Sequence, residues 1–250
     1  MIRHALRNIR DGLLSVAYPH ECRVCGGLVD SWDDGVVCSN CWNNKAVTRL
    51  LTASLCKKCG APGISLGRTS EDRTQLCGKC SSASFSVARA CGIYSGSFEA
   101  SILFLKVTPY ICPRLKRLIS TTLDENRTLL ESDLVVPIPL HPDRERKRGF
   151  NQASVVAKSI SKHLGPFDDQ VLKRTKSTDR HRAGMDAMDR ALSVEKAFVV
   201  AKPATIEGAT VLLIDDVYTT GSTVSAASRV LLAAGAARVN VFTIARVGNR

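Results

Sequence analysis

The run Val211-Leu-Leu-Ile-Asp-Asp-Val-Tyr-Thr-Thr-Gly-Ser-Thr223 joins an apolar strand, two adjacent carboxylates and a hydroxyl-rich turn without interruption. Residues 211–214 are all apolar, as expected of a strand buried on both faces of a parallel sheet, and such strands deliver ligand-binding groups at their carboxyl ends. Asp215 and Asp216 fall at that end, where paired carboxylates can accept the two O–H donors of a vicinal diol. The turn Thr219-Thr220-Gly221-Ser222-Thr223 leads into a helix pattern, Val224, Ala227, Val230, Leu231 and Ala234, that stops at Gly235. Unpaired N–H groups at the helix start, the helix dipole, the Thr and Ser hydroxyls and a glycine permitting close approach together form an anion cradle. A simple helix cap needs one Asp, so the longer series reads as a sugar-phosphate site in an α/β domain.

A second constraint comes from cysteine spacing. Eight of the ten cysteines fall in four Cys-x-x-Cys pairs, Cys22/Cys25, Cys38/Cys41, Cys56/Cys59 and Cys77/Cys80. Each pair can wrap a cation from a tight knuckle, and two knuckles complete the tetrahedral thiolate shell that structural zinc prefers. Between knuckles lie 12 residues in the first set and 17 in the second. Two structural zinc ions are expected. Sequential pairing is the favoured arrangement, although an interleaved cross-brace joining Cys22/Cys25 to Cys56/Cys59 satisfies the same ligand count. Cys91 and Cys112 sit in apolar surroundings and read as small core residues. No secretory pattern precedes the knuckles, so disulfides are not expected and the chain reads as cytoplasmic.

The metal-stapled segment buries too little apolar surface to fold unaided, whereas the remainder is long enough for one full core. The Ser-rich stretch at 81–84 marks the expected boundary, giving an amino-terminal helix with a double zinc module over 1–86 and an α/β domain over 87–250. The helix is a short basic amphipathic segment carrying Arg3, Arg7 and Arg10. No apolar run approaches the roughly 18 residues of a membrane-crossing helix. With 35 Lys+Arg against 23 Asp+Glu the formal charge is +12, which points to an anionic partner, nucleic acid included.

Within the second domain, 88–94 reads as a strand, 98–106 as a helix, a second helix runs through Leu123, and 134–140 reads as a buried strand. A loop follows in which Arg144, Arg146, Lys147 and Arg148 crowd together before Gly149 and a helix over 153–164. Clustered cations after a strand and before a helix suit a pyrophosphate or a nucleic-acid backbone.

The thirteen-residue run resembles the signature of type I phosphoribosyltransferases, enzymes that use phosphoribosyl pyrophosphate (PRPP). The order of the knuckles, Tyr94-Ser-Gly96, Leu105-Lys106, Val136-Pro-Ile-Pro-Leu140, Arg148-Gly-Phe-Asn-Gln152, Ala197-Phe198 and Asp215-Asp-Val-Tyr-Thr-Thr-Gly221 is similar to the ComF family of DNA-uptake proteins. The resemblance covers nearly the whole chain. It implies a type I phosphoribosyltransferase-like parallel sheet with helices on both faces, preceded by a small four-cysteine zinc-ribbon module. It further implies a PRPP site made by Asp215, Asp216, Val217, Thr219, Thr220, Gly221, Ser222 and Thr223, with Arg148 and Gly149 facing pyrophosphate and Mg²⁺ accompanying PRPP. Asp215 and Asp216 would orient the ribose ring in catalysis. Implied partners are PRPP, single-stranded DNA along Arg144, Arg146, Lys147 and Arg148, and other DNA-uptake proteins such as a helicase. Two functions follow: phosphoribosyl transfer to a nitrogenous base with pyrophosphate release, or a non-catalytic single-strand-binding factor using the pocket as a sensor. One departure falls between Arg174 and Phe198, where the family shows a Gln and an Arg-x-x-Asn. This chain has Thr178, Arg182, Met185 and Arg190 with Ser193, so the resemblance extends to ribose-phosphate binding but not to the loop that closes over PRPP. Only 5% of residues are Phe, Trp or Tyr, leaving Trp32, Trp42 and Tyr110 as candidate stacking platforms.

Overall fold

The computed structural model describes residues 19–51, 56–62, 76–78, 80, 82–127, 131–175 and 197–248. The amino-terminal basic segment and the substituted stretch 176–196 therefore lie outside the described residues. The described helices are α1 (Ser39–Asn43), α2 (Gly96–Leu105), α3 (Pro113–Glu125), α4 (Pro142–Arg148), α5 (Gln152–Leu164) and α6 (Ser222–Ala233). The strands are β1 (Val87–Ile93), β2 (Leu134–Pro137), β3 (Leu172–Arg174), β4 (Phe198–Val200), β5 (Thr210–Tyr218) and β6 (Arg238–Arg246).

Four strands form one parallel sheet in the order β1-β6-β5-β2, while β3 and β4 pair antiparallel beside it. The apolar run explains why β5 is central. Val211, Leu212, Leu213 and Ile214 are all fully buried, and their alternation feeds two separate cores. Leu212 and Ile214 join Phe242, Phe98, Ile119 and Val156 on the side of α2, α3 and α5. Val211 and Leu213 join Val241, Val224, Ala227 and Leu231 on the side of α6. Helix α3 shows the expected stripe, with Leu115, Ile119 and Leu123 buried and Pro113 at its start.

The zinc segment packs directly on this sheet. Val37, Cys38 and Trp42 belong to the same buried cluster as Cys91, Phe98 and Ile102, and the rings of Trp42 and Phe98 meet edge to face at 5.9 Å. Cys91 and Cys112 are buried core residues, and burial raises the Cys91 thiol to about 12. The backbone around Leu50 bridges Gly92, and Ile93 N donates to Arg49 O at 2.8 Å. Further along the same strand, Ala88 N donates to Lys58 O at 2.6 Å.

Two local expectations are corrected. The basic cluster is carried by helix α4 rather than by a loop, because Pro142 occupies the first turn and His141 accepts from Asp143 N. Asp143 and Glu145 face the positive helix end, Arg146, Lys147 and Arg148 the negative end, and Gly149 terminates the helix at φ 83. Asp215 and Asp216 lie inside β5 rather than at its end, since pairing with β6 continues to Tyr218↔Arg246. On the opposite flank pairing ends at Pro137↔Ile214, so Asp215 is the first residue of β5 without a strand on that side.

Candidate functional site

β2 stops pairing with β5 at Ile214, so the carboxyl end of β5 lacks a strand on that flank, the kind of place where open α/β sheets hold ligands. Near it come the carboxylates of β5, the turn that follows β5 and, through the shared neighbour Arg174, the helix α4. Asp216 N donates to Asp215 Oδ1 at 2.9 Å, and Val217 N donates to Asp216 Oδ1 at 3.0 Å. Asp216 is buried, and its Oδ2 accepts no hydrogen bond but lies 3.4 Å from Lys106 Nζ at the end of α2. Burial, followed by the neighbouring Asp216 charge, pushes the Asp215 carboxyl well above the usual carboxylate range, with Arg174 opposing. Val217 packs its side chain toward the core and contributes only its backbone here.

Downstream, Thr219 and Thr220 are exposed, and Thr220 Oγ1 stands 2.9 Å from Ser222 Oγ and accepts from Ser222 N at 3.3 Å. Gly221 adopts φ 82 and caps the twelve-residue helix α6. A side chain there would be strained by its backbone and would begin 2.2 Å from the Tyr218 hydroxyl. Thr223 is half-buried in the first turn. The turn thus presents two exposed threonine hydroxyls, one serine hydroxyl and the positive end of α6 a few residues beyond two carboxylates.

Helix α4 is brought alongside by two bonds. Ile138 N donates to Ile214 O at 2.8 Å, and the buried Asn151 donates from Nδ2 to Ile138 O at 2.9 Å. Asn151 Oδ1 also accepts from Ala153 N at 3.0 Å, capping α5. Arg148 donates to Gln152 Oε1, and Arg146 pairs with Asp143. Arg144, Lys147 and Gly149 are exposed. Arg174 of β3 links the two halves: burial and the like charge of Arg144 lower its affinity for a proton, and Asp215 counters them. Lys106, Arg174 and Asn151 had no role in the sequence reading. Lys106 and Asn151 stood inside recognisable motifs, whereas Arg174 carried no local signal.

The cysteines form two sites with sequential pairing. Cys22, Cys25, Cys38 and Cys41 make one group and Cys56, Cys59, Cys77 and Cys80 the other, each with its sulfurs within 4.8 Å of one another. The donor set fits tetrahedral zinc. The two leading knuckles repeat the same closure. Cys22 N donates to Gly27 O and Gly26 N to Cys22 O, while Cys56 N donates to Ala61 O and Gly60 N to Cys56 O, with Gly26 at φ 74 and Gly60 at φ 67. Burial raises the Cys22 and Cys56 thiols, but backbone N–H donors outweigh it and bring both to about 6. Cys38 N to Cys22 Sγ at 3.3 Å and Cys77 N to Cys56 Sγ at 3.3 Å are among these bonds, which favour thiolate.

Of the candidate stacking residues, Trp42 is buried and donates Nε1 to Asp34 O, so it offers no platform. Trp32 and Tyr110 are 38% and 44% exposed. Among the described residues no helix is long and apolar enough to cross a membrane.

Comparison with known proteins agrees with this architecture. A family described as the double zinc ribbon domain matches residues 13–81, and one described as the phosphoribosyl transferase domain matches residues 148–250. The chain is 34% identical over 116 residues to "Competence protein F" of Haemophilus influenzae, covering 46% of this chain and 50% of that protein. It is 30% identical over 218 residues to "DNA utilization protein YhgH" of Salmonella typhimurium, covering 84% of this chain and 90% of that protein. The matched stretch thus spans half of the first relative and nearly all of the second. Among solved structures, a glutamine PRPP amidotransferase from B. subtilis complexed with ADP and GMP aligns over 45% of this chain and 24% of its own, with 20% identity and a TM-score of 0.32.

Proposed function

Because the chain belongs to the ComF family, we propose that it is a cytoplasmic PRPP-binding protein of DNA uptake whose pocket lies at the carboxyl end of β5. The observation that carries the reading is the joining, within one strand and turn, of the Asp215/Asp216 pair and the Gly221-capped start of α6. Asp215 and Asp216 would accept the ribose hydroxyls, and Thr219, Thr220, Ser222 and Thr223 with the first amides of α6 would hold the 5′-phosphate. Arg148, Gly149 and the carboxyl end of α4 would face pyrophosphate. Asp216 Oδ2, buried without a hydrogen bond, and the raised Asp215 carboxyl set two carboxylates side by side with Lys106 and Arg174 as neighbouring cations, a donor pair that fits Mg²⁺ arriving with PRPP. When bound, Mg²⁺ supplies charge neutralisation for departing pyrophosphate.

If turnover occurs, the chain's own residues hold the ribose rigidly while Arg144, Arg148 and Arg174 stabilise negative charge on the leaving group. The acceptor would then be a nitrogenous base. A screen for pyrophosphate release from PRPP and Mg²⁺ against a panel of bases tests transfer, and calorimetry with PRPP tests binding alone. Unchanged PRPP affinity after replacing Asp215 and Asp216 by Asn would sink the assignment of the pocket.

A second reading, a single-strand-binding factor that uses the pocket as a sensor, draws on one surface feature. Pro109, Tyr110, Ile111, Lys116, Lys158 and Lys162 line a cleft of about 320 Å³ between α3 and α5. Val155, Lys158, Ser159 and Lys162 follow helical spacing along α5, which carries no acidic residue and begins beside Arg148. Three lysines with an exposed tyrosine suit a stacked, phosphate-bearing strand. Replacing Lys116, Lys158 and Lys162 by Ala should reduce the salt slope of single-stranded DNA binding by about two, at about 0.7 counterion per phosphate. An unchanged slope would place DNA elsewhere, with Arg144, Arg146, Lys147 and Arg148 the next cluster to test. Other DNA-uptake proteins, including a helicase, are proposed partners through the zinc ribbons.

A further inference from the structure

We infer that Arg246 and Tyr218 are positioning residues through which the second zinc ribbon sets the phosphate turn, so that metal at Cys56, Cys59, Cys77 and Cys80 and anion at residues 219–223 bind cooperatively. The inference rests on the reading of that turn as a phosphate cradle.

The contacts form a continuous path. Arg246, the last residue of β6, is 5% exposed; its Nη1 donates to Cys59 O and stands 3.9 Å from Cys59 Sγ. Its guanidinium carbon lies 5.0 Å from the centre of the Tyr218 ring. Tyr218 ends β5 in register with Arg246, and Val247 N donates to Tyr218 O at 2.9 Å. Phe85, on the segment leaving the ribbon, meets the same ring edge-on at 6.2 Å. The Tyr218 hydroxyl fills the space beside Gly221. The ring is therefore held between a ribbon-bound guanidinium and the residue that caps α6. A second tether runs in parallel, since Ser84 N donates to Ser225 Oγ in the first turn of α6 at 3.1 Å.

Charge gives this path its direction. A buried guanidinium needs an offsetting charge, and among the described residues no carboxylate pairs with Arg246. Its Nε is buried without a hydrogen bond. The guanidinium instead faces Cys59 Sγ at 3.9 Å, one of four sulfurs that would carry net negative charge around a divalent cation. Arg89 approaches the same knuckle from the other side, donating to Lys57 O at 3.0 Å. Without the metal nothing ties Cys59 to the other three sulfurs, so the Cys59 carbonyl that accepts from Arg246 is held less firmly and Tyr218 loses one fixed wall. Linkage then requires the reverse effect: anion at the turn must retain metal at the second ribbon.

The test uses the full chain carrying both metals and compares Cys77→Ser, Arg246→Met and, on the first ribbon, Cys25→Ser. Hydrogen exchange of amides in residues 219–223, PRPP affinity with Mg²⁺ by calorimetry, and metal content are measured for each. Cys77→Ser and Arg246→Met should each speed exchange at the turn and weaken PRPP by about fivefold or more, with Arg246→Met keeping both metals. Cys25→Ser should leave turn exchange within about twofold, and the Cys77→Ser/Arg246→Met double variant should be no worse than the poorer single one. PRPP should slow chelator removal of metal from the second ribbon in the unmodified protein and not in Arg246→Met. Wild-type exchange in Arg246→Met, equal loosening by Cys25→Ser and Cys77→Ser, or additive losses in the double variant would each overturn the coupling. Should Cys77→Ser fail to fold, Arg246→Met with all eight ligands intact still decides the matter. If the exchange pattern holds but PRPP binds to no variant or parent, the positioning role stands and the phosphate reading falls.

Discussion

Replacing Gly221 by Ala tests whether the turn before α6 is built to one shape. Gly221 sits at φ 82, where a side chain costs about 1–2 kcal/mol. The new Cβ would also meet the Tyr218 Oη at 2.2 Å and Cζ at 2.6 Å. Tyr218 cannot swing aside freely, because Arg246 and Phe85 hold its ring, and overpacking of this kind adds about 1–3 kcal/mol. The sum is about 2–5 kcal/mol, or a fall in Tm of between about 4 and 20 °C for a chain of this size. Gly149 supplies a matched reference. It has nearly the same backbone angle, φ 83, but a Cβ there would meet nothing within 4 Å, so Gly149→Ala should cost only the conformational share. Urea unfolding of both variants, and of Gly221→Ala in a Tyr218→Ala background, separates the two contributions. The double variant should recover at least about 1 kcal/mol of the Gly221→Ala loss, as expected of residues in contact. If Gly221→Ala costs no more than Gly149→Ala, or if the cycle is additive, the packing argument is wrong.

Asp215→Asn with Asp216→Asn should weaken Mg²⁺-supported PRPP binding at least about tenfold, roughly 1.4 kcal/mol, by calorimetry. The Asp215 carboxyl is raised in the fold, so the folded chain keeps a proton that the unfolded chain releases near pH 4, at the ordinary carboxylate value of about 3.9. Stability of the ligand-free protein should therefore decline as pH rises from about 4 through the folded value, and Asp215→Asn should remove that slope in denaturant titrations. Elemental analysis should find two zinc ions per chain, since eight thiols form two four-sulfur groups. Asn151→Ala removes both the α5 cap and the bond to Ile138 O, and should cost about 1–3 kcal/mol in urea unfolding.

What the sequence made legible was local. The strand, carboxylates and turn of 211–223 are contiguous, so their order in the chain is their order in space. Charge density alone suggests a loop for the basic cluster, whereas Pro142, Asp143 and Gly149 are ordinary boundaries of a helix of only seven residues. Apolar character stops at Ile214, which suggests a strand end at Asp215 and Asp216, yet pairing with β6 carries the strand on to Tyr218. Lys106 and Arg174 reach the carboxylate pair from other elements, and no spacing within the chain reports that meeting. Ligand count left the zinc pairing open. What separates the ribbons is the segment around Leu50, which is held along β1 between the two sets of knuckles.

That segment also ties the residues before 81–84 to the sheet that follows them. An edge strand leaves backbone groups unpaired, and here both edges of the sheet are covered. On the β2 edge, Val135 N donates to Pro166 O at 2.8 Å and Val135 O accepts from Asp168 N at 3.2 Å. On the β1 edge the covering chain comes from the zinc segment: Lys58 O takes Ala88 N, Arg49 O takes Ile93 N, and Leu51 N donates to Cys91 O. At Gly92 this cover comes so close that a Cβ would meet Arg49 O at 2.7 Å and the Phe98 ring at 2.1 Å. The second ribbon, through Lys58, and the segment between the ribbons, through Arg49 and Leu51, therefore close this edge of the sheet that carries Asp215. Zinc that orders the ribbons contributes to the stability of that sheet, and a single cooperative unfolding transition, lowered as a whole by chelation, is the thermodynamic form this sharing should take.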